Sequence, residues 1–365
     1  MSINYVEKHS AKVDERFTKA SITEGLVNKD YDFVGAKTVK VHSVPTVGMN
    51  DYKREGANRY GTPAELEDAV QEMTMGKDRS FTFTVDKMNS EEDQALEAGK
   101  ALRRQVDEVI IPEVDEYRLA VMAAGAGIVT YGDYTTTKHY ERLIDLYGAM
   151  NDAKVPKAGR VAMGSTPFHK GLKLDNNFTK YAELNQQNLV NGQIGAVDGM
   201  PFVDGSGRLP KGIDLMLAHP VATTAPHKLA EYKTHQDPPG LSGALVEGRN
   251  YFDAFVLDNK RKAIAIHRSQ LLTLTVTNAA GGSGKTKFTA ASGHKGALGV
   301  EMGTLVYKIA ANQAAPALGD DLADWDALTL DADISATSGH KYVVALKDRH
   351  GKCIGASAAA VVTLG

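Results

Sequence analysis

A glycine-rich segment, "AAGGSGKT" at positions 279–286, is the part of the sequence that comes nearest to a binding motif. A phosphate-binding loop follows the pattern GxxxxGK[ST] and ends at a helix whose free N–H groups hold the phosphates. In this chain Ala279 replaces the first glycine, and the following "KFTAAS" is typical of a β-strand. The segment therefore predicts a turn in a β-domain, and a nucleotide-binding enzyme is the weaker alternative.

An acidic segment between positions 320 and 333 is the second candidate. Its aspartates are Asp320, Asp321, Asp324, Asp326, Asp331 and Asp333. Clustered carboxylates can bind calcium, but their spacing here does not match an EF-hand loop. Trp325 and Leu328 lie among them, as in an ordinary solvated loop. We expect a solvated loop, with a calcium site as the alternative.

Other catalytic patterns do not occur in the sequence. The 11 histidines are scattered and include no HExxH pair. The segment "GLSGA" ends in Ala244, where a nucleophile elbow requires glycine. Cys353 is the single cysteine, which excludes an intramolecular disulfide, and we expect it to be a small buried residue. The sequence therefore predicts no catalytic residue, no cofactor and no metal, and hence no enzyme.

Length and charge narrow the class of protein. The 365 residues suffice for about two domains. The net charge of −3 argues against a protein that binds nucleic acid by electrostatic attraction alone. No apolar run approaches the ~18 residues that a membrane span requires. The N-terminal "MSINYVEKHSAKVDERF" lacks the apolar stretch of a signal peptide, so we expect cytosol-like conditions.

A long excursion separates two stretches that alternate like β-strands. Residues 38–44 and 80–85 are expected to pair, although 35 residues (45–79) lie between them instead of the usual two to five. Inside the excursion, "TPAE" at 62–65 has the pattern of a capping box and predicts a short helix. Two strands and one short helix cannot bury that helix's apolar stripe, so the stripe packs either on its own domain or on another subunit.

A long helix is predicted to follow from Ser90 to the "AAGAG" at 123–127. Pro112 should bend it, because proline lacks the N–H group and clashes with the preceding turn. Its predicted buried face comprises Leu102, Val106, Val109, Ile110, Val114, Tyr117 and Val121. A mixed body of helices and strands comes next, with a helix expected at about 137–151 and a strand at 160–165. From about residue 271 only short strands separated by Gly, Ser and Asp remain, the pattern of an independent β-sandwich.

Three segments carry a family resemblance: "VKVHSVPTVGMNDYKREGANRYGTPAEL", "RSFTFTVDKMNSEEDQALEAGKALRRQVDEVIIPEVDEYRLAVMA" and "GRNYFDAFVLDNKRKAIAIH". Over roughly residues 1–270 the chain resembles the major capsid proteins of tailed double-stranded DNA bacteriophages, which have the Hong Kong 97-like fold. The resemblance implies an α+β fold in four parts. These are an N-terminal arm (1–36), an extended E-loop (37–88), a core of peripheral and axial domains with a spine helix (89–270), and an immunoglobulin-like accessory β-domain (271–365).

The resemblance also implies the function and the partners. Subunits would assemble into hexamers and pentamers of an icosahedral shell around double-stranded DNA, bound weakly and without sequence specificity. The shell would be the virion capsid, assembled in the host cytoplasm with a portal protein and no membrane. Because the chain begins directly with the N-terminal arm, a separate scaffolding protein is expected. An encapsulin-like compartment around a cargo enzyme is the alternative, and a surface adhesin is disfavoured by the missing signal peptide.

The E-loop would then lie over a neighbouring subunit. Polar and aromatic residues at its tip and the apolar stripe of its predicted helix would make that contact. The predicted intersubunit residues are Tyr52, Arg54, Arg59, Tyr60, Leu66, Val70 and Met73. Some relatives cross-link covalently through Lys and Asn side chains; Lys53 and Asn58 lie in the loop, but no full Lys–Asn–Glu set is recognisable.

Overall fold

A computed structural model describes the chain over residues 21–28, 30–31, 33, 37–43, 47–63, 65, 68–87, 98–132, 138–175, 193–197, 199–205 and 207–365. Its α-helices in these ranges are α1 (Ala98–Gln105), α2 (Ile111–Gly125), α3 (His139–Asp152) and α4 (Thr166–Leu174). A π-helical turn, Val106–Ile110, joins α1 to α2, and we call the three together the long helix. Short 3₁₀ turns occur at Glu24–Leu26, Pro220–Ala222, Asp258–Ala263 and Ala297–Gly299.

Thirteen strands precede residue 270 in the described ranges. They are β1 (Thr38–Ser43), β2 (Ala69–Thr74), β3 (Lys77–Asp86), β4 (Ile128–Tyr131), β5 (Val161–Gly164), β6 (Gln193–Val197), β7 (Met200–Asp204), β8 (Ile213–Ala218), β9 (Thr223–Thr224), β10 (His227–Gln236), β11 (Gly243–Phe252), β12 (Phe255–Val256) and β13 (Ile264–Arg268). Six of them form a mixed sheet in the order β4-β13-β8-β5-β7-β6. Another sheet has the order β10-β11-β3, and β1 and β2 form a separate two-stranded ribbon.

Period-two alternation divides the six-stranded sheet between two cores. On one face Ala265 and Leu217 pack with α3 and α4 through residues such as Leu146. On the opposite face Ile264 and Ile266 belong to the core that includes the long helix. The predicted helix at about 137–151 and the strand at 160–165 are therefore present and lie where a layered α+β body requires them.

Residues 37–88, the segment predicted to be an E-loop, are called the arm from here on. The strand pairing in this arm differs from the sequence-based expectation. β1 pairs with β2 in antiparallel register, and β3 pairs instead with β11 along its whole length. The predicted helix is wrong in its second half, because Ala69–Thr74 is a strand. Across the ribbon Lys40 Nζ lies 2.6 Å from Glu72 Oε1, and the hydroxyls of Thr38 and Thr74 are 2.8 Å apart. Cross-strand pairs of this kind stabilise a β-ribbon. Because residues 69–74 form a strand, they do not present the apolar stripe of a helix.

The predicted long helix is present from Ala98, with a displaced face; its predicted start at Ser90 lies outside the described residues. Leu102, Val106 and Ile110 are buried as predicted, but Val109 is 44% exposed. The π turn carries an extra residue, and Ile111 N–H donates to Val106 O five residues earlier. We attribute the turn to Pro112, which cannot donate a hydrogen bond and crowds the carbonyl four residues before it. The irregularity falls beside the predicted bend at Pro112.

The region after residue 271 is built from short strands, as predicted. They are β14 (Leu272–Thr273), β15 (Thr275–Ala280), β16 (Lys285–Ser292), β17 (Thr304–Ala310), β18 (Asp326–Ala327), β19 (Ile334–Ser335), β20 (Lys341–Lys347), β21 (Cys353–Ala356) and β22 (Ala360–Val361). One sheet has the order β14-β21-β20-β17-β18 with β22 beside β20, and the other the order β15-β16-β19. Phe288 packs between them, with its ring centroid 4.9 Å from that of Tyr342.

Candidate functional site

The tip of the arm, residues 47–63, is an ordered loop without strands. Lys53 N–H donates to Arg59 O at 3.0 Å, and Gly61 N–H donates to Asn58 O at 2.9 Å. The rings of Tyr52 and Tyr60 meet edge to face with centroids 5.0 Å apart. These contacts hold two aromatic side chains at the end of a long excursion from the body.

The arm tip presents unusually large apolar surface to solvent. Met49 is fully exposed, Tyr60 is 85% exposed, and Val47 and Tyr52 are each more than half exposed. Arg54 and Arg59, close to the two tyrosines in sequence, are also exposed. Exposed aromatic and apolar side chains together with arginines are typical of protein–protein contacts.

The structure describes six of the seven predicted contact residues, and these six lie in three different settings. Tyr52, Arg54, Arg59 and Tyr60 all lie in the exposed arm tip. Val70 lies on the outer face of β2 and is 47% exposed. Met73 has a side chain that is completely buried within the chain itself, so its assignment to an apolar intersubunit stripe is corrected. Leu66 lies outside the described residues.

The base of the arm is tied to the body by an apolar cluster around Met73. Phe33, Met75 and Leu257 are buried with it. The ring of Phe33 stacks on that of Phe255 with centroids 6.0 Å apart. Phe33 and the residues near position 255 therefore belong to the same apolar cluster as the base of the ribbon.

A buried carboxylate joins the arm base to the long helix. Asp253 Oδ1 accepts a 2.5 Å hydrogen bond from the Tyr117 hydroxyl, and Asp253 Oδ2 accepts one from Gly76 N–H at 2.7 Å. Burial, and then the bond to Asp253, raises the pKa of Tyr117 far above its ordinary value, so the phenol stays protonated as a donor. Gly76 is the joint between β2 and β3. This carboxylate therefore sets where the arm leaves the body.

A second carboxylate, Asp115 on α2, was not identified from the sequence. It is completely buried and accepts hydrogen bonds of 2.5 Å from Ser21 Oγ, Thr23 Oγ1 and Arg208 Nη1. Ile22 N–H donates to it as well, at 3.1 Å. One signal was present in the sequence: a charged residue next to the apolar positions of a predicted helix.

The motifs that suggested chemistry do not form a site in the described chain. The glycine-rich segment is the turn between β15 and β16, as predicted, and Gly282 N–H faces the carboxylate of Asp333. A carboxylate there repels phosphate. Asp321 pairs with Lys352 Nζ at 3.2 Å. Across the described ranges no group of three or more His, Cys, Asp or Glu side chains is arranged to hold a metal ion.

The cysteine is poorly suited to nucleophilic chemistry. Cys353 is completely buried on β21, and burial raises the pKa of its thiol to about 11. Only a very small fraction of a thiol with such a pKa is ionised near neutral pH. Its predicted role as a small packed residue is confirmed by its place beside Val306 and Leu322 in a local core.

Comparison with solved structures identifies the architecture. A structure of Mycobacterium phage Che8 matches with a TM-score of 0.54 at 16% identity, covering 68% of this chain and 90% of that one. The head structure of Helicobacter pylori bacteriophage KHP40 matches with a TM-score of 0.51 at 12% identity, covering 69% and 91%. The chain has a phage-capsid fold. The capsid structure of cyanophage P-SCSP1u gives the same result, with a TM-score of 0.50 at 13% identity, covering 68% and 88%.

The predicted Hong Kong 97-like fold class is thereby confirmed, and the capsid fold accounts for about two thirds of the chain. No protein-family model and no curated protein sequence matches the chain. The helices that the structure describes include none long and apolar enough to cross a membrane.

Proposed function

We propose that this protein is the major structural subunit of a bacteriophage capsid. The main support is the capsid fold. The structural match covers 90% of the chain in the Che8 structure and 91% of the chain in the KHP40 head structure. The arm adds support, because it exposes an aromatic tip that its own subunit leaves uncovered. The role is structural and not catalytic.

In this proposal the arm tip of one subunit lies over a neighbouring copy. Tyr52 and Tyr60 supply rigid apolar contact area, and Arg54 and Arg59 supply polar contacts around them. Val70, exposed on the outer face of β2, extends the contact along the ribbon. Repetition of this contact builds hexamers and pentamers and closes an icosahedral shell.

The remaining partners follow from the same proposal. The shell encloses double-stranded DNA and binds it weakly and without sequence specificity. A chain with a net charge of −3 neutralises few phosphates, so the release of counterions contributes little to the binding free energy. Assembly takes place in the host cytoplasm, guided by a scaffolding protein and a portal protein. The finished location is the virion capsid.

Replacing both Tyr52 and Tyr60 with serine should abolish shell formation and leave the subunit folded. Both rings are exposed and contact each other, so their loss removes little buried area within the subunit. Sedimentation velocity measures assembly, and circular dichroism measures folding. Val361→Ser is the matched control, because Val361 is a half-exposed apolar residue far from the arm tip in sequence. Normal assembly of the double variant would refute the tip contact.

A further inference from the structure

The C-terminal β-region, residues 272–365, is docked on the body by a buried polar cluster. Tyr131 and Arg268 are register partners on the neighbouring parallel strands β4 and β13. The Tyr131 hydroxyl donates to Asp348 Oδ2, and Asp348 lies directly after β20. The other oxygen of Asp348 accepts from the N–H groups of His350 and Lys352 at 2.8 and 3.0 Å. The carboxylate is therefore held in place before it meets the body.

Arg268 shows why this contact matters to the body. Its side chain is 1% exposed, and its Nε and Nη1 atoms have no hydrogen-bond partner in the described chain. Burial lowers the pKa of Arg268, while the nearby Asp348 and Tyr131 oppose that shift. A buried guanidinium without a compensating charge is strongly unfavourable. The Asp348 carboxylate lies near this cation, and the hydrogen bond from Tyr131, the register partner of Arg268, holds it there.

A second contact lies on the long helix. The turn at residues 296–300 packs so closely that a Cβ atom added to Gly296 would lie 3.2 Å from Cβ of Ala120 on α2. Leu298 in this turn adopts a left-handed backbone with φ of 49°, which is unusual for a residue other than glycine. Its carbonyl oxygen accepts a 2.9 Å hydrogen bond from Lys77 Nζ.

Lys77 connects this second contact to the arm. It is the first residue of β3, next to the Gly76 joint, and its ammonium group lies 5.4 Å from the ring centroid of Tyr117. We propose that the C-terminal β-region is an internal clamp: Asp348 holds Tyr131 beside Arg268 at one end, and Leu298 holds Lys77, and with it the direction of the arm, at the other. This role goes beyond the proposed shell function and differs from the expectation of an independent β-sandwich.

Cleavage of the connection tests the first half of the clamp. A protease site inserted after the exposed Gln270 in the full chain allows the folded protein to be cut between body and β-region. We expect both fragments to elute together in size-exclusion chromatography. Asp348→Asn should weaken their association at least about tenfold, because the Tyr131 hydroxyl loses its charged acceptor and the buried Arg268 loses a nearby negative charge. Asp331→Asn is the matched control, since Asp331 is exposed and its φ of 62° suits asparagine.

Hydrogen exchange tests the second half. In Lys77→Met, backbone amides at the start of β3 should exchange about tenfold faster, because a charged hydrogen bond to Leu298 is lost. Lys87→Met, exposed just beyond the other end of the same strand, is the control. Separation of the cut fragments, or equal behaviour of either variant and its control, would overturn the clamp. Neither readout involves shell formation, so failure of the clamp and failure of the proposed function are distinguishable.

Discussion

Replacing Asp115 with alanine is expected to lower the free energy of unfolding by about 3 kcal/mol. The carboxylate is fully buried and accepts from two hydroxyls, one backbone N–H and Arg208. Without it, Ser21 and Thr23 lose their shared acceptor, and a guanidinium is left against a buried helix face. The partial exposure of Arg208 allows some rehydration, which keeps the expected loss at the lower end of the range for broken buried pairs. Urea denaturation measures the effect.

Glu116→Ala is the control for this measurement. Glu116 is the next residue on α2 and is exposed, so its removal should change the free energy of unfolding by no more than about 0.5 kcal/mol. Equal losses for the two variants would show that Asp115 does not anchor residues 21–23 to the long helix.

Met73→Asp should lower the free energy of unfolding at least as much as Asp115→Ala does. Loss of a buried methionine side chain costs about 2–5 kcal/mol, and an aspartate placed among Phe33, Met75 and Leu257 adds an unpaired charge. We therefore expect the subunit to melt at much lower temperature or to fail to fold. Circular dichroism during heating gives the result.

Val70→Asp provides the matched comparison on the same strand. Val70 faces outward opposite His42, so an aspartate there meets solvent. The subunit should melt within a few degrees of the unmodified protein. If Val70→Asp unfolded the subunit and Met73→Asp did not, the register of β1 against β2 would be wrong.

The arm shows where periodicity misleads. Leu66, Val70 and Met73 fall at helical spacing, but Gln71 and Met73 also alternate with Val70 and Glu72 as a strand requires. The six residues of β2 (Ala69–Thr74) fit both the helical and the strand pattern. The choice is made by the partner strand, which supplies Lys40 opposite Glu72 and Thr38 opposite Thr74. A contact between residues more than 30 positions apart cannot be read from a local window.

The long helix was predictable because its signal is long and strongly periodic. Its end at Gly125 follows from the "AAGAG" segment, and helical spacing correctly predicts the burial of Leu102, Val106, Ile110, Val114 and Tyr117. Val109 was assigned to the wrong face because a π turn shifts the register by one residue. Pro112 marked the position of the irregularity without specifying its form.

The polar anchors were beyond sequence reasoning. Asp115 and Arg208 are 93 residues apart, and Tyr131 and Asp348 are 217 apart. Charged residues are usually solvated, so their types alone do not identify buried pairs. The change to short strands near residue 271 was recognised correctly. The docking of that region on the long helix depends on the three-dimensional arrangement of Gly296 and Ala120.

Electron microscopy of the purified full-length protein, produced with a scaffolding protein where one is required, tests the capsid function most directly. We expect closed icosahedral shells in which the arm tip of each subunit lies over its neighbour and covers Tyr52 and Tyr60. Particles recovered from an infected host should contain double-stranded DNA and not a protein cargo. A subunit that stays monomeric under all assembly conditions, or shells that leave both rings exposed to solvent, would contradict the proposed function and its intersubunit contact.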